Sequence, residues 1–224
     1  KQVIYKNLTG KDYDVRTKME IYENLKNFDK NISVTIEPFF LSSEFSFYLA
    51  GVSNVNTIAC NENGYYSKHL SDRYGFNNKD KEWDKKEIKY LLVGDSFIHG
   101  SCVNRPNDVS SALRKISNNT VINLGYRGNG PLTQYASLRE YLPKNVKNIL
   151  WFYFEENDIS DISFEMKNPI LKKYLTDKNF NLNLKSDQKK IDLLHKKRIK
   201  NNIVAKKKLD KYWKSYYSKK KKIL

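Results

Sequence analysis

The 224-residue sequence lacks any apolar run of about 18 residues, so no transmembrane helix is expected. Its first residues, Lys1-Gln-Val-Ile-Tyr-Lys6, have no apolar stretch of the signal-peptide kind. The chain begins at Lys1 rather than Met. This predicts a processed product or a fragment with its targeting segment upstream, and a cytoplasmic location only by default. Cysteine is scarce. Cys60 and Cys102 are too few for a disulfide framework or a zinc site, and buried thiols are expected rather than a bridge. Only three histidines occur, and no His/Cys/Asp cluster has metal-ligand spacing, so neither metal nor cofactor is predicted. Arginine is sparse too, at 7 of the 41 basic residues, whereas sequence-specific readers of DNA lean on it for bidentate contacts. The net charge of +16 is unevenly spread: residues 185–224 hold +13, and the other 184 residues only +3. A near-neutral body with a basic tail argues against a nucleic-acid partner.

What is present divides into three stretches. Residues 1–87 read as a mixed α/β, β-rich extension. It contains a helix near Thr17–Asn27, a strand over residues 32–41 ending near Pro38, and short strands with turns over 44–78. Asp80–Lys86 reads as a charged linker. Residues 88–158 alternate strand and helix: strands at Ile88–Val93, Thr120–Leu124 and Asn148–Phe154, helices at Asn107–Ile116 and Pro131–Leu142. In the first helix Val109, Leu113 and Ile116 are expected to face inward. Nearly continuous apolar strands alternating with helices predict a parallel sheet covered on both faces, with its site at the strands' carboxyl ends. Residues 159–224 read as a lysine-rich helical segment.

Each strand ends in a loop with a chemically useful residue. The first carries Gly94-Asp95-Ser96, where helix N–H groups would surround a serine hydroxyl. The second carries Asn123-Leu-Gly125-Tyr-Arg-Gly128-Asn-Gly130, and the third Glu155-Glu156-Asn157-Asp158. In order and placement these resemble the SGNH (GDSL-type) hydrolases, serine esterases and acyl transferases with a flavodoxin-like α/β/α sandwich. The resemblance covers residues 88–158. A looser likeness to bacterial, polysaccharide-associated members lies in Ser71-Asp-Arg-Tyr-Gly-Phe-Asn-Asn78. It implies Ser96 as nucleophile, with the Gly128 N–H and the Asn157 amide as oxyanion donors beside the Ser96 N–H. The implied substrate is an ester, an O-acetyl group on a glycan. Glu156 stands where the family's third block has glycine. The rival reading is a silent relative that binds a carbohydrate or a partner protein.

The family's general base, in an Asp-x-x-His block after two further strands, is not evident. If the chain stops early, those strands and that block follow Leu224, and a three-stranded sheet is left with an exposed edge. Asp192-Leu-Leu-His195 has the spacing but sits in a lysine-rich helix, where a solvated histidine is the plainer expectation. His99 is expected on the first turn after Ser96 with its side chain following its helix, and His69 on the surface or in a loop. Asp95 is expected to fix its turn, and Asp158 to be structural. Glu155 and Glu156 are adjacent and so point apart, which disfavours a paired-carboxylate glycosidase. The glycine loop lacks the Lys-Ser/Thr of a P-loop. The tail, with Trp213, Tyr216 and Tyr217 among lysines, could lie on an anionic membrane surface as an amphipathic helix; packing on the sheet domain with a solvated lysine face is the alternative.

Overall fold

The computed structural model describes residues 1–38 and 47–220; for 206, 207 and 209–220 it describes the backbone only. The chain is mixed α/β. It opens with helices α1 (Gln2–Thr9) and α2 (Lys18–Lys26). The start of α2 is fixed by a capping box, in which Thr17 accepts from the Glu20 N–H and Glu20 reaches back to the Thr17 N–H. Next come strands β1 (Ile32–Val34), β2 (Asn56–Ile58) and β3 (Lys68–Leu70). They form a small sheet of order β1-β2-β3, parallel then antiparallel. The far end of the expected 32–41 strand lies outside the described residues.

The second sheet holds β4 (Ile88–Val93), β5 (Val121–Asn123) and β6 (Val146–Trp151), all parallel, in the order β5-β4-β6. Helix α3 (Ser96–His99) and helix α4 (Val109–Ser117) lie between β4 and β5; α5 (Pro131–Tyr141) lies between β5 and β6. The chain steps from β4 to one side, then back past β4 to the other. Right-handed crossovers therefore put α4 and α5 on opposite faces. The packing agrees: Leu92 and Val121 meet Leu113 of α4, while Leu91 and Ile122 share a cluster with Leu132 and Ala136 of α5. The larger cluster also takes Phe47–Ala50 and Phe76 from the N-terminal stretch, and Ile170, Leu171, Tyr174 and Ile191 from the C-terminal one.

After β6 come α6 (Asp158–Glu165), α7 (Pro169–Thr176) and the long α8 (Gln188–Lys220). Ile191, His195 and Ile199 are buried and Ile203 is half-buried, one ridge at four-residue spacing that docks α8 on the body. Trp213, Tyr216 and Tyr217 lie outside the described side chains.

Several expectations are corrected. Asp80–Asp84 is a 3-10 turn rather than a linker, with Glu82 buried beside Arg114 and the Trp83 indole donating to Asp72. On α4, Val109 and Ile116 are 40% and 84% exposed, while Ser110 and Ser111 are buried. Asp108 caps this helix through the Ser111 N–H and also accepts from the Ser110 hydroxyl, which turns that polar face inward. Cys60 and Cys102 form a disulfide rather than two thiols, tying the end of β2 to the loop after α3. The third strand of this sheet runs over Val146–Trp151 rather than the expected 148–154, and none of its residues is buried, because it pairs with β4 and, among the described residues, with no other strand.

Candidate active site

The strand order makes β4 the point from which the two crossovers diverge, where a crevice opens at the carboxyl ends of a parallel sheet. The registers Leu92↔Asn123 and Val93↔Trp151 bring three strand ends side by side. The Ser96 loop therefore lies between the Gly128 loop and the Asn157 loop.

Ser96 opens α3, a single turn. Asp95 caps that turn by accepting from the Phe97 N–H at 2.8 Å, as expected of it. Burial holds the Asp95 carboxyl above the usual carboxylate range, and the nearby Asp158 charge adds to this. The cap has a chemical consequence, since one backbone donor beside the serine is already taken. The far end of α3 is held by two asparagines. Asn123 donates to the Ile98 carbonyl and Asn77 to the His99 carbonyl. Asn123 is in turn held by Asn78, whose amide donates to the Asn123 carbonyl at 2.9 Å and accepts from its N–H at 2.9 Å.

Behind them stands Asp72, fully buried. It accepts from the Tyr74 and Phe76 N–H groups, the Asn78 amide and the Trp83 indole. Burial pushes its carboxyl up to about 6, against those four donors. The 71–78 stretch is thus the brace that fixes the Ser96 loop to the end of β5. Gly75 makes the brace possible: it sits at φ +84° with its backbone against Gly51, where a Cβ would meet the Gly51 carbonyl oxygen at 2.0 Å. Reasoning from sequence singled out 71–78 but not this bracing role. The signal was two asparagines and an aspartate in a turn, side chains that bond backbone when buried.

Ser96 lines a cleft of about 220 Å³ with Phe97, Gly100, Cys102, Glu62, Asn63 and Arg127. The disulfide therefore forms part of its wall. Arg127, which sequence reasoning passed over, donates to Glu37 at 2.7 Å. Burial acts to raise the Glu37 carboxyl, but the charges of Lys18 and Arg127 and its hydrogen bonds outweigh it and hold it below its ordinary value.

Gly128 has φ +79°, and a Cβ there would meet the Glu37 side chain at 2.7 Å. Its need for glycine is accounted for by that conformation and by Glu37. Asn157 begins α6 beside Asp95. Its side-chain amide nitrogen donates to Asp161 at 3.1 Å, and its side-chain oxygen Oδ1 is buried with no partner among the described residues. Asp158 is fully buried and structural as expected, accepting from the Phe154 N–H and the Gln134 amide.

All three histidines are placed. His99 ends α3 wholly buried, with Nδ1 2.7 Å from the Ser101 hydroxyl and its ring against Tyr126. His69 is buried in β3 rather than at the surface, its ring 5.1 Å from that of His99. Burial lowers both; His99 falls to about 3. His195 is not a solvated helix residue. It is fully buried against Tyr48 at 4.8 Å, neither ring nitrogen has a partner, and burial lowers it to about 4. Its sequence neighbour Asp192 accepts from the N–H and hydroxyl of Ser53. Asp192 and His195 thus form no hydrogen-bonded pair and anchor α8. No histidine or carboxylate among the described residues is hydrogen-bonded to the Ser96 hydroxyl.

Comparison with family models, with curated proteins and with solved structures found no match. Among the described residues, no helix is long and apolar enough to cross a membrane.

Proposed function

We propose that the chain is a serine ester hydrolase or acyl transferase of the SGNH type, built on a flavodoxin-like sandwich and acting on O-acetyl groups of a glycan. One observation carries this reading: Ser96, Gly128 and Asn157 follow β4, β5 and β6, three neighbouring strands of one parallel sheet, with Ser96 on the central one. The Ser96 hydroxyl would attack the ester carbonyl, giving an acyl-serine and releasing the glycan hydroxyl. Water or a second hydroxyl then takes the acyl group. The developing oxyanion would be met by the Ser96 and Gly128 N–H groups and by the Asn157 amide, once that amide leaves Asp161.

A second reading, a silent binding module, is favoured by two specific observations. All three histidines are buried in other contacts, and the Asn157 amide is engaged by Asp161. Hydrolysis of p-nitrophenyl acetate separates the two. The esterase reading expects turnover that Ser96→Ala lowers by roughly a thousandfold. Turnover at the uncatalysed rate, or unchanged in Ser96→Ala, favours the binding module.

A further inference from the structure

A cavity of about 980 Å³ lies away from Ser96, between α2, the edge strand β1 and α8. That is the size of a site for a whole small molecule. Its rim and floor differ in character. Lys26, Lys30, Lys196 and Lys200 line it, with Glu23 as the carboxylate lining it. None of the four lysines is paired with a carboxylate among the described residues. Lys196 and Lys200 are one helical turn apart on α8 and line the cavity with Lys26, the last residue of α2, and Lys30, in the turn between α2 and β1. Below them lie Tyr22, Ile32, Ile199 and Ile203, all part of one apolar cluster. Ser33, also lining the cavity, is 2% exposed and its hydroxyl has no partner. A buried donor left unsatisfied is destabilising, so a hydroxyl held there without a partner points to a ligand that supplies an acceptor.

We infer that this cleft binds an anionic lipid, its phosphate headgroup among the four ammonium groups and its hydrocarbon chain along the isoleucine floor. A free anion would satisfy the lysines and leave the floor bare. A neutral amphiphile would cover the floor and leave the lysines mutually repelling. Sugar acids and nucleotides carry no hydrocarbon to lay on Ile199 and Ile203. The inference is independent of the esterase reading, since none of these residues lies in the Ser96 cleft.

The test is calorimetric titration of the full chain with dihexanoyl phosphatidic acid below its micelle concentration, with inorganic phosphate and dihexanoyl phosphatidylcholine as comparators. Phosphatidic acid is expected to bind at least about tenfold more tightly than either comparator. The double variant Lys26→Glu/Lys200→Glu is expected to weaken it by at least about tenfold, as is Ile203→Asp. Both lysines are exposed, so their replacement leaves the core intact, and circular dichroism checks the fold. Amide NMR shifts are expected to map to 22–33 and 196–204. Equal affinity for phosphate would show simple attraction of anions, and equal affinity for phosphatidylcholine non-specific adsorption; either overturns the inference. So does unchanged binding in the folded lysine variant, shifts that map elsewhere, or no binding of phosphatidic acid.

Discussion

His195 gives the sharpest test of how the long helix is held. Its imidazole is wholly buried against Tyr48, with both nitrogens unpartnered. Replacing it with leucine keeps an apolar side chain on the ridge of Ile191, Ile199 and Ile203 and removes two stranded polar atoms. At neutral pH the gain is expected to be about 1–2 kcal/mol, the usual penalty for a buried unsatisfied group less the loss of packing on Tyr48. At acid pH the gain grows. The folded-state value is about 4 against an ordinary 6.5, so the unfolded chain takes up the proton first. A depressed histidine contributes stability that is complete above pH 6.5 and is lost as pH falls towards 4. At pH 5 that loss is about 2 kcal/mol for this one group. His195→Leu should therefore be more stable than the wild type by about 3–4 kcal/mol at pH 5. Urea unfolding followed by circular dichroism at pH 7.5 and pH 5.0 measures both. Ester hydrolysis by the variant should be unchanged. A variant that is less stable at both pH values, or that has lost turnover, would refute the reasoning, and lost turnover would return His195 to the role of base.

Asn78→Ala strands the Asn123 N–H and carbonyl and removes one donor from Asp72; a cost of about 3–5 kcal/mol is expected in urea unfolding, and a change under about 1 would contradict the brace. Breaking the disulfide with Cys60→Ser/Cys102→Ser opens a loop between residues 42 apart in sequence. The chain-entropy estimate is a loss of about 4 kcal/mol, measured by unfolding with and without reductant. Asp72 runs opposite to the histidines. Its folded value of about 6 exceeds its ordinary 3.8, so the stability it contributes is complete below pH 3.8 and is lost as pH rises through 6. Asp72→Asn should abolish that component of the stability–pH curve in the same urea series. The β6 edge exposes Ile149, Trp151 and Tyr153. Sedimentation velocity should show concentration-dependent self-association that Ile149→Lys reduces, and a wild type monomeric at all concentrations would contradict this.

The parallel strands were legible because a strand buried on both faces must be apolar throughout, as Ile88–Val93 nearly is. The same rule misled at β6, where the apolar run Ile149–Phe154 was expected to be a buried strand, but the strand is Val146–Trp151 and has no buried residue beside its one neighbour among the described residues. The extent of α2 was legible, since the expected 17–27 matches Lys18–Lys26 closely, but helix faces were harder to read. They were not legible at α4, where Asp108 draws two serines inward and leaves Ile116 in solvent. His195 was expected in solvent rather than on the buried ridge with Ile191, Ile199 and Ile203, because a titratable ring is not counted as apolar. Of the candidate site, the three loop residues were visible from local motifs. The Asn77–Asn78–Asp72 brace and the Arg127–Glu37 pair were not, since they join segments that only the tertiary fold brings together.

As proposed, Ser96 is a nucleophile at the junction of three strand ends. Labelling the full chain with a fluorophosphonate and mapping the modified peptide by mass spectrometry tests it most directly. The account predicts one adduct, on Ser96, that is absent in Ser96→Ala. An unlabelled wild type, or an adduct on another serine that persists in Ser96→Ala, would contradict it.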